Sequence, residues 1–295
     1  MAFYLRGHYP NHWTTLMKED TSNTTMSIVI YHFVIVILLL LQLESLETIA
    51  ALINNNLVEN NIFKPEHSDA SQRLSANQIV SMMPTTKNNN NGPLRQNLFA
   101  SPIIPALYEK ILPPLWEAGL RLGGPETEYL EAAKYLKQGK MVLDLSCGTG
   151  FVGRRLAQNK DFEKVFCLDY SEEMLSECLR SVQRENSSNN NFDNLSLIQG
   201  DASCLSFADE SLDAVHWGAA MHCVPDVELA LQEVYRILKP GGKLYATTFL
   251  KPFPDVVFRF FTTRELEELS IGAGFDNQNL FVEQRGVYGI VRATK

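Results

Sequence analysis

Met141-Val142-Leu143-Asp144-Leu145-Ser146-Cys147-Gly148-Thr149-Gly150 is the stretch on which the fold turns. Its first half is short, rich in Val, Leu and Met, and bounded by a turn, which predicts a buried strand. Two glycines then allow backbone N–H groups to approach a ligand closely at a helix N-terminus, whose dipole favours a negative group. The chemistry is ambiguous at this point. Gly148-Thr149-Gly150-Phe151-Val152-Gly153 also satisfies the G-x-G-x-x-G dinucleotide pattern. Asp169, at the end of the next apolar run, stands where either an NAD site or an adenosyl site sets a carboxylate on ribose hydroxyls.

Outward from this turn, strand-like runs at Met141–Leu145, Val165–Leu168, Leu195–Ile198, Leu212–Trp217 and Leu244–Phe249 alternate with helical stretches. That alternation predicts an α/β domain with a parallel sheet covered on both faces. The helices carry end signals. Ser171 caps one helix, with Glu172 and Glu173 in its first turn, and Asp226 caps another whose apolar face runs Val227, Ala230, Leu231, Val234, Leu238 and which stops at Pro240-Gly241-Gly242. Thr262 and Glu265 form a capping-box pair, and Gly274 sits where a C-terminal cap belongs. Leu280–Glu283 and Tyr288–Ala293 are separated only by a turn containing Gly286, too short for a parallel crossover, so they must form an antiparallel hairpin.

Three later features choose between the cofactors. They are Gly200-Asp201-Ala202 after the third strand, Leu238-Lys239-Pro240-Gly241-Gly242 before the fifth, and the terminal hairpin. With Asp144 ahead of Gly148, the set resembles the class I S-adenosylmethionine-dependent methyltransferases, of the type 11 domain and near the quinone-biosynthesis group. Leu168-Asp169-Tyr170-Ser171-Glu172, Asp213-Ala214-Val215-His216 with His222-Cys223, and Ala246-Thr247-Thr248-Phe249 look most like plant methyltransferases of the chloroplast. The resemblance covers residues 98–295.

It implies a doubly wound, seven-stranded, mostly parallel sheet with a C-terminal antiparallel hairpin, and S-adenosyl-L-methionine as cofactor. Ser146, Gly148 and Gly150 would line the methionine part, with Asp144 holding its ammonium directly or through water. Asp169 would take the ribose hydroxyls, Tyr170 would lie against the adenine, and Asp201 and the Ala202 N–H would read the adenine edge. His216, Trp217 and Gly218 would face the sulfonium and the acceptor. Cys147 departs from the commoner glycine.

Each residue also has a plainer reading. Asp169 and Asp201 are then turn aspartates, Asp144 caps the following helix, and His216 is a packed strand residue. His222, beyond the strand, is the better candidate general base and His216 the second, although methyl transfer from a sulfonium needs little beyond proximity, alignment and desolvation. Trp217, Phe249, Phe253, Phe258, Phe260 and Phe261 line an apolar acceptor pocket or fill the core. Because the Leu250–Phe261 segment is short, residues from Ile103 to Gly119 are expected to supply most of a lid. The expected activity is methyl transfer by in-line displacement to a small, apolar acceptor. An NAD(P)-dependent oxidoreductase and a non-catalytic, membrane-tethered nucleoside-binding protein are the alternatives.

The chain has 295 residues, 45% of them hydrophobic, and a net charge of −8. Residues 97–295 hold 20 Lys and Arg against 27 Asp and Glu, so the domain is acidic. Acidity makes nucleic acid a poor partner and leaves a small molecule as the expected one. Cys147, Cys167, Cys178, Cys204 and Cys223 include no C-x-x-C pair, which predicts reduced thiols and no metal site.

The first third differs in composition. Residues 1–51 hold an apolar run, 28–43, shorter than the roughly 20 residues a spanning helix needs, and Thr48-Ile49-Ala50 follows with the form of a cleavage site. This is a signal segment or a membrane anchor, and 28–43 is the expected place of any membrane contact. Residues 52–97 hold eleven asparagines from Asn54 to Asn97, and no acidic residue lies between Ala70 and Tyr108. Such a stretch predicts a disordered linker or a transit segment. A signal-like run before an acid-poor stretch resembles the two-part import sequence of plastids reached through secretion. The sequence therefore divides into 1–51, 52–97 and a methyltransferase domain over 98–295.

Overall fold

Strands made of Val, Leu, Ile and aromatic residues, buried on both faces, are the frame on which the rest hangs. The computed structural model describes residues 78–83, 124–137, 140–186, 191–251, 255 and 258–295, all within one compact unit, Lys64–Lys295. The apolar run 28–43, the Thr48-Ile49-Ala50 site, most of the linker, the 103–119 lid and Phe253 lie outside the described residues.

In chain order the described elements are β1 (Ile79–Ser81), α1 (Gly124–Leu136), β2 (Met141–Leu145), α2 (Phe151–Gln158), β3 (Lys164–Asp169), α3 (Glu172–Asn186), β4 (Leu195–Gln199), β5 (Leu212–Trp217), α4 (Val227–Ile237), β6 (Leu238–Phe249), α5 (Thr263–Gly272), β7 (Leu280–Arg285) and β8 (Tyr288–Thr294). They form one sheet in the order β1-β4-β3-β2-β5-β6-β8-β7. All neighbours are parallel except β6 with β8 and β7 with β8. A dinucleotide-binding sheet of the doubly wound kind runs 3-2-1-4-5-6. Here the last strand, reversed, is wedged between β6 and β7, and this separates the fold from the dinucleotide alternative.

The fold differs from expectation in two places. The sheet has eight strands among the described residues, where seven were expected, because Ile79–Ser81 of the supposed linker pairs with Leu197–Gln199 of β4. An edge strand carries a row of unpaired backbone groups, and Ile-Val-Ser is a short β-forming piece able to cover them. The Met82 N–H continues the pairing at 2.8 Å from the Gln199 carbonyl. The second difference is that α4 stops at Ile237, and Leu238 already belongs to β6, paired with Leu212. Pro240 disfavours a helical residue before it, so the chain extends there, and the ladder shifts register between Leu212 and Ala214.

The predicted helix ends are present. Ser171 Oγ accepts the Met174 N–H at 3.1 Å, Asp226 caps α4 through the Leu229 N–H, and Thr262 with Glu265 makes a reciprocal capping box on α5. One core layer packs Val142 of β2 with Cys167 and Leu197 against α1, α2 and α3. The other packs Leu143, Val215 and Trp217 against α4 and α5. β2 lies between β3 and β5, where the strand order reverses, so its carboxyl end opens on the crevice in which α/β sheets bind ligands.

Candidate cofactor and acceptor site

The turn after β2 is built from backbone conformations that most residues avoid. Gly148 and Gly150 have φ of +57° and +75°, and Ser146, which has a side chain, is held at +53°. Strain of this kind costs about 1–3 kcal/mol and collects at ligand clamps. A Cβ added at Gly148 would meet nothing within 4 Å among the described residues, so this side of the glycine is open to them and a ligand can reach it. The opposite holds at Gly150, where an added Cβ would lie 2.2 Å from the Cys178 sulfur. One glycine presents backbone outward and the other allows close packing inward.

Asp169 closes the turn from the neighbouring strand. Its Oδ2 accepts the Gly148 N–H at 2.8 Å and its Oδ1 the Ser171 N–H at 2.9 Å. Burial pushes this carboxyl up to about 6, against the two backbone donors that favour the anion. An ionised carboxylate offers about four acceptor positions, so two remain for hydroxyl donors. Tyr170 follows, half-buried. Asp201 is buried and its Oδ1 accepts both the N–H and the hydroxyl of Ser203, at 2.9 and 2.6 Å, with Ala202 buried beside it. Trp217 is fully buried in the core layer that also holds Ala202 and Met221, and its indole N–H makes no hydrogen bond among the described residues. Asp169, the open face of Gly148 and this orphaned donor fit a nucleoside with a polar tail.

Asp144 points inward. Its Oδ2 accepts the Gly153 N–H at 2.8 Å, and its Oδ1 lies 2.6 Å from Nδ1 of His216. Gly150, the N-cap of α2, has no side chain to satisfy the third residue of the helix, and Asp144 does so from the adjacent strand. The helix-capping alternative is thus the geometry found, and both carboxylate oxygens are engaged by the protein itself.

The two candidate bases occupy opposite environments. His216 is buried among charges, with Glu128 Oε1 of α1 3.5 Å from its Nε2. Burial alone would lower its pKa, but the charge and hydrogen bond of Asp144 and the nearby charge of Glu128 carry it up to about 9. His222 is buried among aromatic rings, stacked on Phe260 at 5.8 Å and met edge-on by Phe249 at 5.2 Å and Phe258 at 5.4 Å. Its Nδ1 is 3.2 Å from Thr248 Oγ1, and burial drives its pKa down to about 3, leaving a neutral imidazole. Phe261 belongs to the core layer rather than to this cluster.

Glu128, Thr247 and Tyr288 were not foreseen. Thr247 Oγ1 donates to Glu128 at 2.5 Å and accepts the Ala219 N–H at 2.7 Å, and the Tyr288 hydroxyl reaches Thr247 at 2.8 Å. The signal available in sequence was slight: three glutamates, 126, 128 and 131, on a helix with a buried apolar face. No group of His, Cys, Asp and Glu among the described residues is arranged to hold a metal.

Residues 143–246 match the family described as "Methyltransferase domain". This part of the chain is similar to that family, and its sheet has the class I methyltransferase fold. Two Arabidopsis thaliana proteins, both described as uncharacterized chloroplastic methyltransferases, are 36% and 34% identical to it over 182 and 206 residues. The first match covers 59% of this chain and 50% of the relative, the second 68% and 56%. The chain thus spans about half the length of the curated relatives it matches. A SAM dependent methyltransferase from Aquifex aeolicus has the same fold, with a TM-score of 0.51 at 22% identity over 64% of this chain and 97% of that one.

Proposed function

We propose that the domain binds S-adenosyl-L-methionine and transfers its methyl group by in-line displacement to a small, apolar acceptor. The observation that carries this reading is the pairing of an outward-facing Gly148 peptide with the Asp169 carboxylate, at the carboxyl edge of a sheet whose last strand is reversed and inserted. When bound, the cofactor supplies an electrophilic methyl group on a sulfonium. The chain's own part is orientation and exclusion of water. In this reading Ser146, Gly148 and Gly150 hold the amino-acid end through backbone, Asp169 accepts from the ribose hydroxyls, and Asp201, Ala202 and Tyr170 recognise the base.

On the acceptor side, Phe249, Phe258 and Phe260 keep water away from His222, and Thr248 fixes its ring. A neutral, oriented imidazole there suits an acceptor that is apolar but carries one polar group to be hydrogen-bonded. The chloroplastic descriptions of both Arabidopsis relatives support a plastid location, in keeping with the acid-poor stretch ahead of the domain. Among the described residues no helix is long and apolar enough to cross a membrane. Membrane contact through 28–43 therefore rests on the sequence alone.

The test is a titration of the full chain with S-adenosylhomocysteine and with NAD(H), followed by incubation of a plastid lipid extract with radiolabelled methyl donor. We expect the homocysteine adduct to bind, NAD(H) not to, and label to enter an apolar product. Affinity should fall as pH drops through about 6 and Asp169 takes up a proton. Binding of NAD(H) alone overturns the proposal, and adduct binding without labelled product from any extract points to the non-catalytic alternative.

A further inference from the structure

Asp144 is the only side chain among the described residues seen to satisfy the first turn of α2, and it is itself held by His216, which faces Glu128 of α1, the helix that precedes β2. We propose that His216 is a positioning residue, a bridge between Glu128 and Asp144 through which the seating of α1 sets the shape of the glycine turn and hence its affinity for the cofactor. The proposal rests on the cofactor reading above, and adds to it a link between the N-terminal helix and the turn.

The geometry is that of a chain of single contacts. From the turn inward it runs Gly153 N–H to Asp144 Oδ2 at 2.8 Å, Asp144 Oδ1 to His216 Nδ1 at 2.6 Å, and His216 Nε2 to Glu128 Oε1 at 3.5 Å. Glu128 is then tied to Thr247 and Tyr288 on β6 and β8. The last link is the slack one, because Nε2 is buried, makes no hydrogen bond among the described residues, and faces a carboxylate at ion-pair rather than hydrogen-bond distance. A movement of α1 by less than 1 Å either closes or opens it. A cavity of about 20 Å³ beside Glu128, lined also by Glu131, Tyr245, Arg285 and Tyr288, holds roughly one water and gives that carboxylate room to shift.

Charge explains why the bridge must be a histidine. Asp144 and Glu128 are two carboxylates in one buried site, and a neutral side chain between them would leave both uncompensated. The imidazolium offsets one charge, while Gly153, Thr247 and Tyr288 donate to the rest. The other titratable groups facing this site are Tyr245, stacked on His216 at 6.1 Å and bound to Glu131, which Arg285 neutralises, and Cys167, 4.0 Å from Asp144 Oδ2. Asp169 adds negative charge from the next strand. None supplies a second cation at the bridge. Gly218 completes the arrangement: a Cβ there would lie 2.7 Å from His216 Cε1 and 2.8 Å from Glu128 Oε1, so a methyl group would drive the two apart.

The experiment uses the full chain with His216→Gln, Glu128→Gln and Gly218→Ala. Two readouts are taken from pH 6 to 10: the dissociation constant for S-adenosylhomocysteine, and the ¹⁵N chemical shifts of the histidine rings. We expect wild-type affinity to be level between about pH 7 and pH 8, above the range in which Asp169 takes up a proton, and to fall severalfold through pH 9. H216Q should bind about 10-fold more weakly at pH 7.5 with no alkaline fall. E128Q and G218A, which leave Asp144 and the turn untouched, should move the midpoint to lower pH in both readouts. Wild-type affinity and pH dependence in H216Q overturn the proposal, as does a His216 ring that titrates below pH 7 in the wild type. If no variant and no wild type binds the adduct, the cofactor reading has failed, and the ring titration still decides whether the bridge exists. If H216Q does not fold, E128Q and G218A carry the test, and an unshifted midpoint in both overturns it.

Discussion

His216 and His222 are six positions apart, equally buried, and pushed in opposite directions, one up to about 9 and the other down to about 3. Burial is the same first influence on both and disfavours the charged ring in each. What differs is the company. His216 stands between two carboxylates on the α1–α3 side of the sheet, and His222 stands among three phenylalanines. One site is therefore a charged clamp that shapes the turn, and the other a dry box that keeps a neutral ring in place. In the methyltransferase reading these are the two tasks of the site, holding a charged cofactor and receiving an apolar acceptor.

The largest effect expected on this contrast is from Asp144→Asn. The substitution keeps the side chain's size but strips His216 of its closest anion and leaves the charge of Glu128 and the ring mismatched. Breaking one partner of a buried pair costs about 3–5 kcal/mol. Urea unfolding should show a loss of that order, together with a histidine ring that titrates nearer the ordinary value. A loss below about 1 kcal/mol would mean that the clamp is loosely solvated and that the two histidines differ less than their surroundings suggest.

Much of the charged side was legible in sequence, and the dry box only in outline. Asp144, Gly148, Gly150 and Asp169 announce themselves because strand ends, turns and helix starts have local signals, and a ligand site at a strand end inherits them. The helix caps at Ser171, Asp226 and Thr262 were readable for the same reason. Glu128 was not, since it meets His216 through a contact 88 positions apart that depends on how α1 lies on the sheet, and nothing local encodes that. Nor was Ile79–Ser81, whose pairing answers the unpaired edge of β4 and not any strong preference of its own. His222 was singled out for its place beyond a strand, but its neutrality follows from Phe258 and Phe260 folding back over it, again a non-local fact.

A second prediction separates the two histidines by pH. His216 has a folded pKa above its unfolded 6.5, so its contribution to stability is fully present below about pH 6.5 and lost as pH rises through about 9. His222 has a folded pKa below 6.5, so its neutral ring contributes above that pH and the contribution is lost as pH falls toward about 3. Asp169 runs against His222 over part of this range, because its raised pKa makes the fold gain stability as pH drops from about 6 to about 4. Thermal unfolding of the wild type should therefore fall off on both sides of neutrality. His216→Gln should flatten the alkaline limb and His222→Phe the acid one, each by a few kcal/mol at most. An alkaline limb unchanged in H216Q would assign it to other groups and dissolve the contrast.

The smallest effect concerns thiols, and it extends the same logic to groups that ionise in the opposite sense. Cys147, Cys167 and Cys178 touch one another beside the glycine turn, and Asp144 contributes to raising all three. Burial is the main cause at Cys147, with Asp169 adding to it, and the neighbouring thiol is the main cause at Cys167 and Cys178. Asp144, which helps to keep a proton on His216, thus also helps to keep protons on these sulfurs, because a thiolate would be one more buried anion. Cys204 is exposed and lies outside the cluster. Alkylation by iodoacetamide at pH 8, followed by peptide mass spectrometry, should label Cys204 well ahead of the three, since only the thiolate reacts and access favours the same residue. Early labelling of Cys147 would show a thiolate beside Asp169. The negative charge of the turn would then be smaller than its hydrogen bonds imply, and the clamp would lose the reason for its protonated histidine.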